Sequence, residues 1–238
     1  MGGNVDNVKG LFFDVGGTVF DWKNTARKNI QELADATGDA IDSEAFANDW
    51  RGEMFRILTQ VRHGNVPWIN SDDMLLRALE NLTNAYPLLA AIDRLSLVRS
   101  TWHHLKTFVG APEAINRLRT RYTVVVLTIL SWKSIVSSSK DAQVQWDGII
   151  SCEFLGYYKP SLQAYLKGIN LLGLQPGEAM MVAAHEGDLA AAQAAGLHTA
   201  YVKVPEEDNI AEGFGKPSTT NFDVEAKDFE ALCRKLGV

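Results

Sequence analysis

The sequence predicts an α/β protein, a doubly wound Rossmann-like parallel sheet with a helical cap inserted into it. Three observations carry this. Short apolar runs rich in β-branched residues recur at 8–15, 123–130, 148–152, 179–184 and 198–202. From the second run onward they alternate with stretches of helical periodicity at 132–140, 161–172 and 189–195, each bounded by Gly, Pro or polar residues. The first two runs are held apart by residues 16–122, far more than the dozen or so that one crossover helix requires.

The first run ends in Phe13-Asp14-Val15 and meets a Gly16-Gly17-Thr18 turn, so a strand stops there. Residues 23–106 show no clear strand, but apolar side chains recur at helical spacing: Ile30 and Leu33; Phe46, Trp50, Met54, Ile57 and Leu58; Met74, Leu75, Ala78 and Leu79; Ile92, Leu95, Val98 and Trp102. Breaks near Gly38, 64–67 and Tyr86-Pro87 divide this stretch into about four helices. It leaves and rejoins beside the first strand, so it is expected to sit above that strand's end. The predicted division is 1–21 and 107–238 for the core and 22–106 for the cap. Runs such as Val124-Val125-Val126-Leu127, apolar at every position, read as strands covered on both faces. The Pro-, Gly- and acid-rich stretch 203–220 reads as a surface loop.

Composition narrows the function classes. The 238 residues are 46% hydrophobic and 22% charged, as in an ordinary soluble globular protein. The 23 Lys and Arg against 29 Asp and Glu give a net charge of −6, which disfavours a nucleic-acid partner. Two cysteines, Cys152 and Cys233, make neither a disulfide framework nor a zinc pattern, and a reducing cytoplasm is expected. The first ten residues lack the basic and apolar segments of a signal peptide, and Asp6 stands where a myristoylation motif needs Ser or Thr. The longest strongly apolar stretch, 124–130, is far short of the roughly 20 residues that span a bilayer, so no membrane role is expected.

The chemistry-bearing residues lie at strand ends. In open α/β sheets the carboxyl ends of the strands line the ligand crevice. Asp14 ends the first run, Thr128 lies near the end of the second, Lys159 follows the third before Pro160, and His185-Glu186-Gly187-Asp188 closes the fourth. Each has a bland alternative: a turn cap for Asp14, strand filler for Thr128, a surface lysine for Lys159, a helix cap for Asp188. Asp21 reads as a turn or cap residue, and His103 and His104 read as structural. The succession of acid, hydroxyl, lysine and acid on consecutive parallel strands is the informative feature.

That succession, with an insert after the first acid, resembles the four motifs of the haloacid dehalogenase superfamily, and the likeness spans the chain. Phosphatases of the superfamily carry a general acid two residues after the nucleophile, where this sequence has Gly16. A halide leaves without a proton whereas an alkoxide needs one, so the departure favours dehalogenation. The sequence is also similar to type II 2-haloacid dehalogenases. Trp50-Arg51 matches their cap arginine, Tyr165 stands six residues beyond Lys159, and Ala183-Ala184-His185 matches one branch of them. Ile129 stands where an Asn is usual, and Gly16 replaces an aromatic residue, which suggests a wider or reshaped pocket.

The resemblance implies hydrolytic dehalogenation of short 2-haloalkanoic acids to 2-hydroxy acids. Asp14 would be the nucleophile, with Thr18, Lys159 and Asp188 completing the catalytic set. Arg51 would receive the halide beside Trp22 or Trp50. Thr128 would hold the substrate carboxylate, Tyr165 would line the binding site, and Asp188 with His185 would handle the hydrolytic water. No metal or cofactor is implied, the partner is a small halogenated carboxylic acid, and a homodimer through cap or core is compatible. The alternatives are a magnesium-dependent phosphohydrolase or phosphonate-cleaving relative, and a catalytically weak small-acid binder suggested by Ile129.

Overall fold

The computed structural model describes residues 5–204 and 221–238. Six parallel strands form the sheet: β1 (Gly10–Phe13), β4 (Thr123–Thr128), β5 (Gly148–Ser151), β6 (Ala179–Ala183), β7 (His198–Val202) and β8 (Val224–Ala226), in the spatial order β5-β4-β1-β6-β7-β8. The chain builds β4 and β5 on one side of β1 and then returns to the other side for β6. This reversal opens a crevice at the carboxyl ends of β1, β4 and β6, where ligands bind in such sheets. Phe13 is in register with Val126 on one side and Val182 on the other, and Asp14 N–H still donates to Val182 O at 2.9 Å. β1 and β6 are buried at every position because helices cover both faces.

Several of the predicted runs overshoot the ladder, and the overshoot is where the site lies. Residues 14–15, 129–130 and 184 leave the sheet and form the crevice loops. The helix expected at 189–195 is α9 (Glu186–Ala194), which begins three residues earlier. Strand β8 and the helices α5 (Ala111–Leu118) and α10 (Phe229–Lys235) carry too few residues for the periodicity to single them out. The remaining core helices are α6 (Trp132–Asp141), the short α7 (Cys152–Leu155) and α8 (Leu162–Asn170). Of the predicted loop 203–220, residues 205–220 lie outside the described residues.

The chain leaves the core through β2 (Phe20–Asp21) and returns through β3 (Lys106–Thr107), which pair antiparallel. Between them come α1 (Trp22–Thr37), α2 (Ser43–Arg62), α3 (Ser71–Asn81) and α4 (Arg94–Trp102), each begun by a capping side chain: Asp21, Asp42, Asn70 and Asp93. Gly38, at φ 75°, stops α1 in a left-handed conformation that favours glycine. The cap interior is aromatic, with Trp50 tilted on Phe46 at 5.6 Å and edge-on to Trp102 at 5.8 Å. Burying such side chains contributes about 1.5–3 kcal/mol each. Among the described residues, no helix is long and apolar enough to cross a membrane.

Candidate active site

Asp14 sits just past β1, 3% exposed, and its two oxygens are held differently. Oδ1 accepts from Lys159 Nζ at 3.0 Å. Oδ2 accepts from Thr18 Oγ1 at 2.9 Å and lies 3.0 Å from His185 Nδ1. Thr18 is brought back onto Asp14 by the glycine turn, in which Gly17 has φ 87° and Val15 O accepts from the N–H groups of Val19 and Phe20. Its own hydroxyl oxygen accepts from Ala184 N–H at 3.0 Å, which ties the loop after β1 to the loop after β6.

Lys159 is fully buried and also reaches Asp188 Oδ2 at 2.6 Å. Asp188 Oδ1 accepts from Tyr165 O–H at 2.5 Å. Burial pushes the Asp14 carboxyl up, but the Lys159 charge and the His185 hydrogen bond outweigh it and hold the group well below the usual carboxylate range. The Lys159 ammonium is correspondingly held charged, because the two carboxylates outweigh its desolvation. Asp188 is raised, by burial and the nearby Asp14 charge.

Arg51 crosses over from α2. Its guanidinium lies 4.3 Å from the centre of the Trp22 ring, 5.2 Å from that of Phe55, and its Nη2 is 3.3 Å from His185 Nε2. A guanidinium only donates, so Nε2 is the acceptor and the ring proton resides on Nδ1, from where it is donated to Asp14. Asp14, His185 and Arg51 therefore form one buried chain of hydrogen bonds.

A cavity lies above Asp14, with about 310 Å³ between its walls when its mouth is counted. Asp14, Gly16, Trp22, Arg51, Thr128 and Ile129 line it, and so do Met54, Phe55, Trp102 and Leu130, which the sequence reading did not assign to the site. Met54 and Phe55 stand three and four residues after Arg51, a spacing that puts them on its helix face and was there to be read. The Thr128 oxygen accepts from Leu130 N–H at 3.1 Å, which leaves its own O–H to donate.

The structure corrects three expectations. Trp50 is not a cavity residue: one position along a helix turns the side chain by about 100°, so Trp50 faces α3 and donates its indole N–H to Leu75 O at 2.9 Å. Tyr165 does not line the cavity but holds Asp188. Gly16 does not widen the pocket, because a Cβ there would meet Leu130 Cδ1 at 3.1 Å, so Leu130 already fills that space. His103 and His104, read as structural, join helices: their partners are Asp72 at 2.7 Å and Asp141 at 2.5 Å.

The bland alternatives can be weighed in the same way. Lys159 is not a surface lysine, and Arg51 is only 5% exposed. Asp188 lies inside the first turn of α9, whose N-cap position is His185. Asp21 is the cap of α1, accepting from Asn24 N–H at 3.0 Å. Among the described residues, no group of three or more His, Cys, Asp or Glu side chains is arranged to hold a metal ion.

The family model for haloacid dehalogenase-like hydrolases matches residues 8–196. Among solved structures, a defluorinating L-2-haloacid dehalogenase superposes with a TM-score of 0.88 over 97% of this chain and 96% of its own, at 29% sequence identity. A second L-2-haloacid dehalogenase gives 0.87 over 96% and 98%, also at 29% identity. The L-2-haloacid dehalogenase of Xanthobacter autotrophicus with chloropropionic acid covalently bound shares the fold, with a TM-score of 0.78 over 96% and 98% at 15% identity. No curated protein matches the sequence.

Proposed function

Because this chain belongs to the haloacid dehalogenase-like hydrolases, we propose that it hydrolyses short 2-haloalkanoic acids to 2-hydroxy acids through an ester on Asp14. The observation that carries this reading is the asymmetry of the Asp14 carboxylate. Oδ2 is taken by Thr18 and His185, whereas Oδ1 has only Lys159 and keeps a lone pair for attack. The likeness to two L-2-haloacid dehalogenases at 29% identity supports the same reaction.

In the first step Oδ1 displaces the halide from the substrate carbon, with Thr128 O–H holding the substrate carboxylate and Arg51 receiving the halide beside Trp22. No proton donor is needed, which suits Gly16 and its neighbour Leu130. In the second step water attacks Cγ of the ester, and Thr18 O–H stabilises the charge that develops on Oδ2. Both Asp188 oxygens are engaged, by Lys159 and Tyr165, so Asp188 anchors the lysine. His185, whose Nε2 Arg51 caps in the resting enzyme and releases on turning to the halide, takes the proton from water and passes it to the alkoxide of the hydroxy acid as the Cγ–Oδ1 bond breaks.

Gly16, where phosphatases of the superfamily carry a general acid, favours this reading over a phosphohydrolase. Halide release from chloroacetate, bromoacetate and the enantiomers of 2-chloropropionate tests the proposal. Release with formation of the matching hydroxy acid is expected, and release from none of them contradicts it.

A further inference from the structure

One polar group in the cavity wall is unused by this mechanism. Trp102, the last residue of α4, is 2% exposed and lines the cavity together with Asp14 and Arg51. Its indole Nε1–H has no acceptor among the described residues. Of the two buried indoles in contact with it, Trp50 has its N–H committed to Leu75 O. An N–H buried without an acceptor is unfavourable, and native proteins retain few of them.

The ring is held in place. It stacks on Trp22 with centroids 6.1 Å apart and planes 7° from parallel, and it stands edge-on to Trp50. Its backbone carbonyl accepts from Ser134 Oγ, which fastens the end of α4 to α6. The donor is therefore fixed before any ligand arrives, which is what stabilisation of a developing charge requires. Met54, Phe55, Ile129 and Leu130 supply apolar wall around it and no competing acceptor side chain.

Resting on the dehalogenase reading, we propose that Trp102 Nε1–H is a second donor to the departing halide, alongside Arg51. Both side chains come from the cap, both pack on the ring of Trp22, and both line the same cavity above Asp14. Arg51 supplies charge, and Trp102 adds a neutral N–H that stays protonated across the working pH range and suits a weakly basic, polarisable anion. The substrate carboxylate is left to Thr128, on the core side of the cavity.

The test reads indole N–H resonances in heavy-nitrogen-labelled protein. The chain has six tryptophans, and loss of one peak in Trp102→Phe assigns the resonance of interest. Titration with chloride or bromide is expected to shift that peak saturably and to leave the Trp50 peak in place, and the dissociation constant read from the Trp22 peak, which both proteins keep, is expected to be about tenfold higher in Trp102→Phe. Glycolate, which has a carboxylate and no halogen, is expected to leave the Trp102 peak unmoved. A shift with glycolate and none with halide overturns the proposal, since the donor would then serve the carboxylate. An unmoved peak with every anion also overturns it. Saturable halide binding at Trp102 in a protein that dehalogenates no acid would contradict the proposed reaction while the donor assignment stands.

Discussion

The Lys159 ammonium lies 3.0 Å from Asp14 Oδ1, with the lysine side chain fully buried and that of the aspartate 4% exposed. Such a pair decides how the nucleophile titrates. Without the lysine, the burial that raises the carboxyl's pKa would lose the charge that most opposes it. With it, the folded-state pKa lies below the ordinary 3.8, so the ion pair contributes stability that is present above that value and is lost as the pH falls through the folded one.

Replacing Lys159 by Met therefore moves the acid limb of the kcat/KM profile to higher pH. The largest influence that lowers the Asp14 pKa disappears and the burial that raises it remains. The variant also leaves two buried carboxylates without their counter-charge, a loss of about 3–5 kcal/mol in stability. pH–rate profiles and thermal unfolding check both effects, and an unshifted acid limb would mean that Lys159 does not control Asp14.

Arg51→Lys is expected to lower kcat/KM on a chloro-acid by at least about tenfold despite the kept charge, because a planar donor stacked on Trp22 and Phe55 becomes a point charge on a different stem. Steady-state kinetics at saturating and limiting substrate decide the matter. Wild-type kcat/KM would remove Arg51 from the halide site.

His185→Gln separates the two half-reactions. Glutamine keeps a donor for Asp14 but has no basic lone pair to accept a proton. A burst of halide equal to the enzyme, with hydroxy acid following at least about a hundredfold more slowly, is expected in rapid-quench experiments. Equal slowing of both products would place His185 in substrate positioning instead.

Much of this was legible in the sequence because a parallel sheet writes itself as apolar runs, and the residue after each run is at the crevice by construction. Asp14, Lys159 and Asp188 could be grouped before any coordinates existed, for that reason. What could not be read depends on rotation and packing. Trp50 and Arg51 are adjacent in sequence yet face different sides of α2, one into the cap interior and the other over Trp22. The space vacated at Gly16 is filled by Leu130, a residue more than a hundred positions away, and sequence spacing holds no trace of that. Trp102 looked like any apolar residue on a helix; only its unpaired N–H distinguishes it.

Metal independence is a further expectation, because attack on a neutral carbon of a monoanionic acid can be served by Arg51 and Lys159. Halide release is expected to be unchanged by EDTA. Loss of activity with chelator, and its rescue by magnesium, would favour a phosphohydrolase-like mechanism.

The covalent step is the centre of the account, and a single turnover in heavy-oxygen water with enzyme in excess addresses it directly. If Asp14 Oδ1 attacks the carbon and water then cleaves the ester at Cγ, the first hydroxy acid carries the carboxylate's own unlabelled oxygen, and the peptide containing Asp14 becomes heavier by one labelled oxygen. Labelled product from the first turnover, with the Asp14 peptide unlabelled, would mean that water attacks the carbon directly and that Asp14 is no nucleophile.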